Sequence, residues 1–161
     1  MQEVDETNTS APYLYGRQFA IVERAQEYSQ YLDRERYGQK PKEGEDGSTN
    51  RMLVERFYGG VSTSPGTTMP QLYNLFETAY LPKIERKKVG TRNWLRRLME
   101  DISLKLQNVP EEVRYRSLSP KDQAEFALGF YCQRADFRKR NPDTPDADTP
   151  DTNPDNEGDA E

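Results

Sequence analysis

The chain has 161 residues, no His and a single Cys. This excludes an imidazole base, a His-dependent triad, His metal ligands and an intrachain disulfide framework. No apolar run approaches the ~18 residues of a membrane span, and the acidic start MQEVDETNTS lacks the pattern of a signal peptide. The composition predicts a soluble cytoplasmic protein with no membrane contact.

The formal net charge of −5 averages unlike segments. Residues 1–10 carry three acids (Glu3, Asp5, Glu6), residues 141–161 carry eight, and neither has a base. Without those eleven, residues 11–140 hold 17 acids against 23 bases, a net +6. The pattern predicts a flexible acidic N-terminus over 1–12, a basic helical domain over 13–140 and a disordered Pro/Asp-rich tail over 141–161. The tail repeats Pro-Asp and its apolar residues are two Ala, too few to offset the entropy of folding. It reads as a solubility tail, or as a mobile acidic competitor for the basic body.

Helical periodicity runs along almost the whole domain. Over 13–36, Leu14, Ile21, Ala25, Tyr28 and Leu32 share a face that Phe19 and Val22 widen. A Gly-rich loop is expected around 38–48. Residues 49–58 predict a short helix stopped by Gly59-Gly60, and VSTSPGTTMP a structured loop. A third helix is expected from Pro70, carrying Leu72, Leu75, Phe76, Ala79 and Tyr80, with Pro82 kinking or splitting it before Lys83. Gly90 reads as a stop and Thr91 as an N-cap. Between 91 and 109, Trp94, Leu95, Leu98, Met99, Ile102 and Leu106 fall within an arc of about 140°, with Arg92 and Arg96 outside it. Pro110 ends that helix. The last opens with Ser119-Pro120, a cap followed by Pro at the first helical position. On it Phe126, Phe130 and Phe137 form a stripe widened by Ala127 and Tyr131, with Leu128 and Cys132 on the far side. The fold class predicted is all-α, a compact bundle of about five helices.

Chemistry-bearing motifs are lacking. There is no Walker sequence, GxGxxG or CxxC. Glu100-Asp101 and Glu111-Glu112 are sequence neighbours pointing about 100° apart on a helix, poorly placed to share a metal. Ser62, Thr63 and Ser64 have no activating base, and Cys132 reads as a buried small hydrophobe. No enzyme, cofactor or metal is expected, and a small hydrolase survives only as a residual reading.

The basic segments are more informative. Lys83, Arg86, Lys87, Lys88, Arg92, Arg96 and Arg97 stand against one acid, Glu85. They read either as cations near helix C-terminal carbonyls or as a phosphate-binding stripe crossing Gly90-Thr91. A second group, Arg134, Arg138, Lys139 and Arg140, closes the domain. Arg134 projects into the apolar arc of its helix, so it either pairs with a carboxylate or reaches a partner. The ten Tyr add candidate base-stacking surfaces or core edges.

Three strings then matter more than composition. Residues 15–26, YGRQFAIVERAQ, with Gly16, Arg17 and Phe19, resemble the "GRLFAxLExxQ" helix near the C-terminus of the type I-C CRISPR large subunit. Arg56-Phe57-Tyr58-Gly59-Gly60-Val61-Ser62-Thr63-Ser64-Pro65 resembles its "RYFGSASxxP" turn. Residues 118–134, LSPKDQAEFALGFYCQR, with Gln123, Phe126, Gly129, Tyr131, Gln133 and Arg134, resemble its "LSxxxQxxFALGYYHQR" helix. The strings occur in the family's order and span about residues 14–134. Cys132 stands where the family usually has His, and the family's His pair in the third helix is absent, which favours packing over catalysis at those positions.

The resemblance implies a non-catalytic small subunit of Cascade, the RNA-guided DNA surveillance complex. In type I-C systems such a fragment is made separately from an internal start. The implied partners are the backbone subunits, the large subunit, a second copy of itself, guide RNA and target DNA including the displaced non-target strand. The alternative is a purely architectural helical bridge with incidental surface charge.

Overall fold

A computed structural model describes residues 3–37, 53–85 and 88–140. The loop expected at 38–48, the tail at 141–161, and Arg86 and Lys87 lie outside the described residues. The described chain is helical, with no strand. In order come α1 (Ala11–Tyr37), α2 (Leu53–Thr63), α3 (Pro65–Leu75), a π-turn (Phe76–Tyr80), α4 (Leu81–Glu85), α5 (Val89–Gln107), the one-turn α6 (Glu111–Arg114) and α7 (Pro120–Arg140). With α3, the π-turn and α4 taken as one interrupted helix, the expected bundle of about five helices, plus one extra turn, is what forms.

The 27-residue α1 is the axis of the bundle. Every residue from Ala11 to Glu23 is buried, as a helix covered on all sides requires. The helix packs most extensively on α7 and also touches α2, α3, α4 and α5. Its predicted apolar face, Leu14 through Leu32 with Phe19 and Val22, lies in the core. Several polar residues are buried with it, and partners compensate them. Gln18 Nε2 donates to Ser103 Oγ on α5 at 3.0 Å, and Ser29 Oγ to the Gln26 carbonyl at 2.9 Å.

The three strings converge here. Phe19, Tyr58, Phe126 and Phe130 form an aromatic cluster with ring centroids 5.4 to 6.2 Å apart. Backbone bonds tie the same region, with the Leu118 N–H donating to the Thr63 carbonyl at 2.8 Å. Gln123 Nε2 donates to the Leu118 carbonyl at 3.1 Å. Ser119 caps α7 as expected, and Asp122 answers it in a reciprocal capping box: the Asp122 N–H donates to Ser119 Oγ at 3.2 Å and the Ser119 N–H to Asp122 Oδ2 at 3.4 Å. Phe126, Phe130, Phe137 and Cys132 are buried, whereas Tyr131 is 58% exposed and Leu128 37%. The far side of α7 is therefore only partly covered.

Four local expectations are corrected. First, α2 does not stop at Gly59-Gly60 but runs through both glycines to Thr63. Glycine in a helix costs only ~1 kcal/mol, and burial of Val61 and Ser62 outweighs that. Second, the expected loop is helical. Ser64 makes the break, with φ −142° and ψ 67°, and α3 starts at Pro65, with Pro70 inside it. The Ser/Thr hydroxyls do satisfy backbone carbonyls, as Thr63 and Thr68 show toward Gly59 and Ser64 at 2.9 and 3.0 Å.

Third, Pro82 acts upstream of itself. Its ring would crowd the Thr78 carbonyl and it has no N–H to donate. The helix widens into the π-turn, so that the Leu81 N–H reaches back to the Phe76 carbonyl. Fourth, Gly90 and Thr91 are neither stop nor cap. Lys88, with φ −140° and ψ 66°, is the break, and both residues belong to the first turn of α5, where Thr91 is buried.

The N-terminal segment, expected to be flexible, makes contacts with the helices in this structure. Residues 3–10 lie along the bundle, with the Asp5 N–H donating to the buried Tyr13 hydroxyl at 2.8 Å and Ser10 Oγ to Glu125 Oε2 at 2.6 Å. Among the described residues, no helix is long and apolar enough to cross a membrane.

Candidate nucleic-acid interface

The predicted α5 face is built as expected, with Leu95, Met99, Ile102 and Leu106 buried and Trp94 and Leu98 half-buried at its margin. Phe137, on the last turn of α7, packs edge-on against Trp94 with ring centroids 5.5 Å apart. Three residues on, the Arg140 guanidinium lies over the Trp94 ring, 5.9 Å from its centroid. Arg97, a helix-surface neighbour of Trp94 at i+3, is exposed. Arg97 and Arg140, from basic segments far apart in sequence, thus both flank one half-exposed indole.

The remaining predicted cations take different positions. Lys83 is exposed on α4, and Lys88 and Arg92 are half-buried at the start of α5. Arg92 donates through Nε and one terminal nitrogen to Asn93 Oδ1, at 3.2 and 3.0 Å. Arg96 pairs with Glu77 of the π-turn at 3.3 Å. Lys139 pairs with Glu3 at 3.0 Å, and Arg140 with Asp136 at 3.2 Å.

Arg134 resolves toward its structural reading. Its Nε lies 3.3 Å from Glu23 Oε2, and its guanidinium sits 5.2 Å from the Phe130 ring centroid. Arg138, one turn along and exposed, is close enough to Glu23 to favour its charged form. Burial pushes the Glu23 carboxyl up to about 7, against the pull of Arg134, with Glu27 adding repulsion and Arg138 and Arg24 opposing it.

A buried polar network under the N-terminal segment carried no signal in the sequence reading beyond the motif letters themselves. Arg17 Nε donates to Gln133 Oε1 at 2.9 Å. Its two terminal nitrogens donate to both Glu6 oxygens, at 3.2 and 3.0 Å. Lys105 Nζ joins Glu6 Oε2 at 2.9 Å. Burial opposes ionisation of Glu6, but the hydrogen bonds from Arg17 and Lys105 outweigh it and hold the carboxyl below its usual value. Two alternating helix residues of the resembling strings, Arg17 and Gln133, are therefore one hydrogen-bonded unit.

The other motif residues also act by packing. Gly16 and Gly129 let α1 and α7 approach closely. Phe19, Tyr58 and Phe126 share the aromatic cluster. Half-buried Phe57 packs at the edge of the core, exposed Arg56 lies over it at 5.4 Å, and Ser62 Oγ donates to the Gly59 carbonyl at 3.2 Å. Tyr131 stacks edge-on to Phe130 at the surface. Among the described residues, no group of three or more His, Cys, Asp or Glu is placed to hold a metal ion.

A family model described as CRISPR-associated protein (Cas_Csd1) matches residues 1–138. The chain belongs to this CRISPR-associated family. The match takes in all three strings, and with them the aromatic cluster, the glycine crossing and the Arg17–Gln133 unit. It also covers Trp94, Arg97 and Arg138, and ends just before Lys139 and Arg140. No curated protein matches the chain.

Proposed function

We propose that this family member is a non-catalytic subunit of a cytoplasmic RNA-guided DNA surveillance complex, which grips the phosphates of the displaced non-target strand. Its partners would be the backbone and large subunits, a second copy of itself, and the guide RNA–target DNA heteroduplex. The observation that carries this reading is the meeting of Trp94, Arg97 and Arg140. An aromatic face among cations offers stacking to a base and charge to its neighbouring phosphates. Opening a target exchanges one duplex for another of similar stability, so modest contacts to the separated backbones tip the balance.

If about four phosphates are neutralised, the log–log salt slope for single-strand binding is roughly −3. The test is alanine replacement of Lys88, Arg92, Arg96 and Arg97 in the assembled complex. Guide loading should be unchanged and target opening weakened, most strongly at low salt. The architectural alternative draws on the pairing of Arg96, Arg134, Lys139 and Arg140 with the chain's own carboxylates. It expects the same variant to assemble and open DNA normally.

A further inference from the structure

Between the N-terminal segment, α1, α5 and α7 lies a cleft of about 280 Å³, lined by Arg17, Gln133, Lys139 and Arg140 and by the carboxylates of Glu3, Glu6 and Asp136. Its cations sit on packed helices. The Arg17 side chain is only 3% exposed, yet the carboxylate that neutralises it, Glu6, is 65% exposed and belongs to a non-helical segment. Three donors from two helices converge on the two Glu6 oxygens, a fork from Arg17 and the ammonium of Lys105. Glu3, 83% exposed, occupies Lys139 in the same way. Asp136 on α7 holds Arg140, so the fixed cations left to an incoming anion are Arg17, Lys105 and Lys139, and the exchangeable part is the Glu3 and Glu6 carboxylates. A planar guanidinium fork with flanking ammonium groups suits phosphate oxygens as well as a carboxylate.

We propose that this cleft is a second phosphate-binding subsite for a polynucleotide backbone, which Glu3 and Glu6 fill in the free chain. The inference rests on the nucleic-acid reading above. Arg140 joins the cleft to the Trp94 surface, and Leu98, one turn beyond Trp94, lines it too. A strand stacked on the indole therefore has its next phosphates beside the cleft. That continuity with an aromatic face favours a nucleic acid over an acidic polypeptide. The strand's phosphates would displace the carboxylates, so the N-terminal segment sets a threshold that weak polyanions do not cross.

The experiment uses the full chain, a fluorescent 20-mer of oligodeoxythymidylate, and anisotropy at low salt. The double variant E3Q/E6Q should bind roughly three- to tenfold more tightly than wild type, because two competing charges are gone. Adding Lys139→Ala to that background should abolish most of the gain. E3Q alone leaves the Arg17–Glu6 pair intact and should still tighten binding about twofold, which keeps the test valid if Glu6 matters to folding. Unchanged or weaker binding by both glutamine variants would overturn the subsite, as would an equal gain toward polyglutamate. If K88A/R92A/R96A/R97A weakens binding while E3Q/E6Q changes nothing, the subsite alone fails. If no protein binds the oligonucleotide, the nucleic-acid reading fails and the subsite with it.

Discussion

Gly16 and Gly129 occupy the same crossing of α1 and α7 from opposite sides. A Cβ on Gly16 would collide with the Phe126 carbonyl and come within 2.8 Å of the Phe130 nitrogen, and a Cβ on Gly129 would collide with the Tyr13 carbonyl. The atoms in the way are backbone, so neither helix can yield without moving its whole length. The closeness of this crossing lets Phe19 meet Phe126 and Phe130, and brings Arg17 within reach of Gln133.

Gly16→Ala and Gly129→Ala should each destabilise the domain by at least about 1–3 kcal/mol, the usual cost of overpacking. Gly59 makes the contrast. A Cβ there meets nothing within 4 Å, so Gly59→Ala should stabilise by ~1 kcal/mol through helix propensity alone. Thermal melts of the three variants check this, and a G16A protein melting at or above wild type would contradict the close crossing.

Arg17→Lys should not be conservative. A lysine cannot donate to Gln133 and to both Glu6 oxygens at once, which leaves a buried acceptor unpaired at a cost of roughly 1–3 kcal/mol. Urea unfolding at neutral pH measures the loss. Stability equal to wild type would mean that the buried fork contributes little.

Stability should fall with rising pH across the Glu23 titration. Its carboxyl is raised to about 7 in the folded chain, above the unfolded value near 4.5, so the folded state binds the proton more tightly. The advantage is fully present below the unfolded value and is lost as pH rises through about 7. Between pH 5 and pH 8 the decline should be on the order of 1–3 kcal/mol, and Glu23→Gln should flatten it. Glu6 works in the opposite sense and a different window. Its carboxyl is held low, so its contribution disappears only as pH drops below the ordinary carboxylate range. Urea midpoints at pH 5, 6.5 and 8 separate the two, and a flat wild-type profile would rule out the assignment to Glu23.

Most of the architecture is legible in the residue pattern because it depends on short-range rules. The 3.6-residue spacing from Leu14 to Leu32, the Trp94–Leu106 arc, the Ser119-Pro120 cap and the Phe126–Phe137 stripe each follow from one helix considered alone. The misjudged elements depend on distant partners. Gly59-Gly60 and Gly90 look like stops by propensity, but burial of Val61 and Thr91 keeps both pairs helical. Gly66 carries no local signal, and its role comes from Arg114, whose carbonyl a Cβ would strike. The candidate surface was half legible. Both basic runs stand out in composition, but their meeting depends on the tertiary contacts of Trp94 with Phe137 and Arg140. The roles of Glu3 and Glu6 depend on Arg17, Lys105 and Lys139, which no spacing rule connects to residues 3 and 6.

The most direct measurement is target opening by the assembled complex, read from base-specific probing of the displaced strand across a salt titration. It compares wild type with the K88A/R92A/R96A/R97A subunit. The account predicts equal assembly and guide loading, with the variant's open fraction lower at low salt, the gap closing as salt rises because its salt slope is shallower by about 3. Identical open fractions and slopes for the two proteins would contradict it.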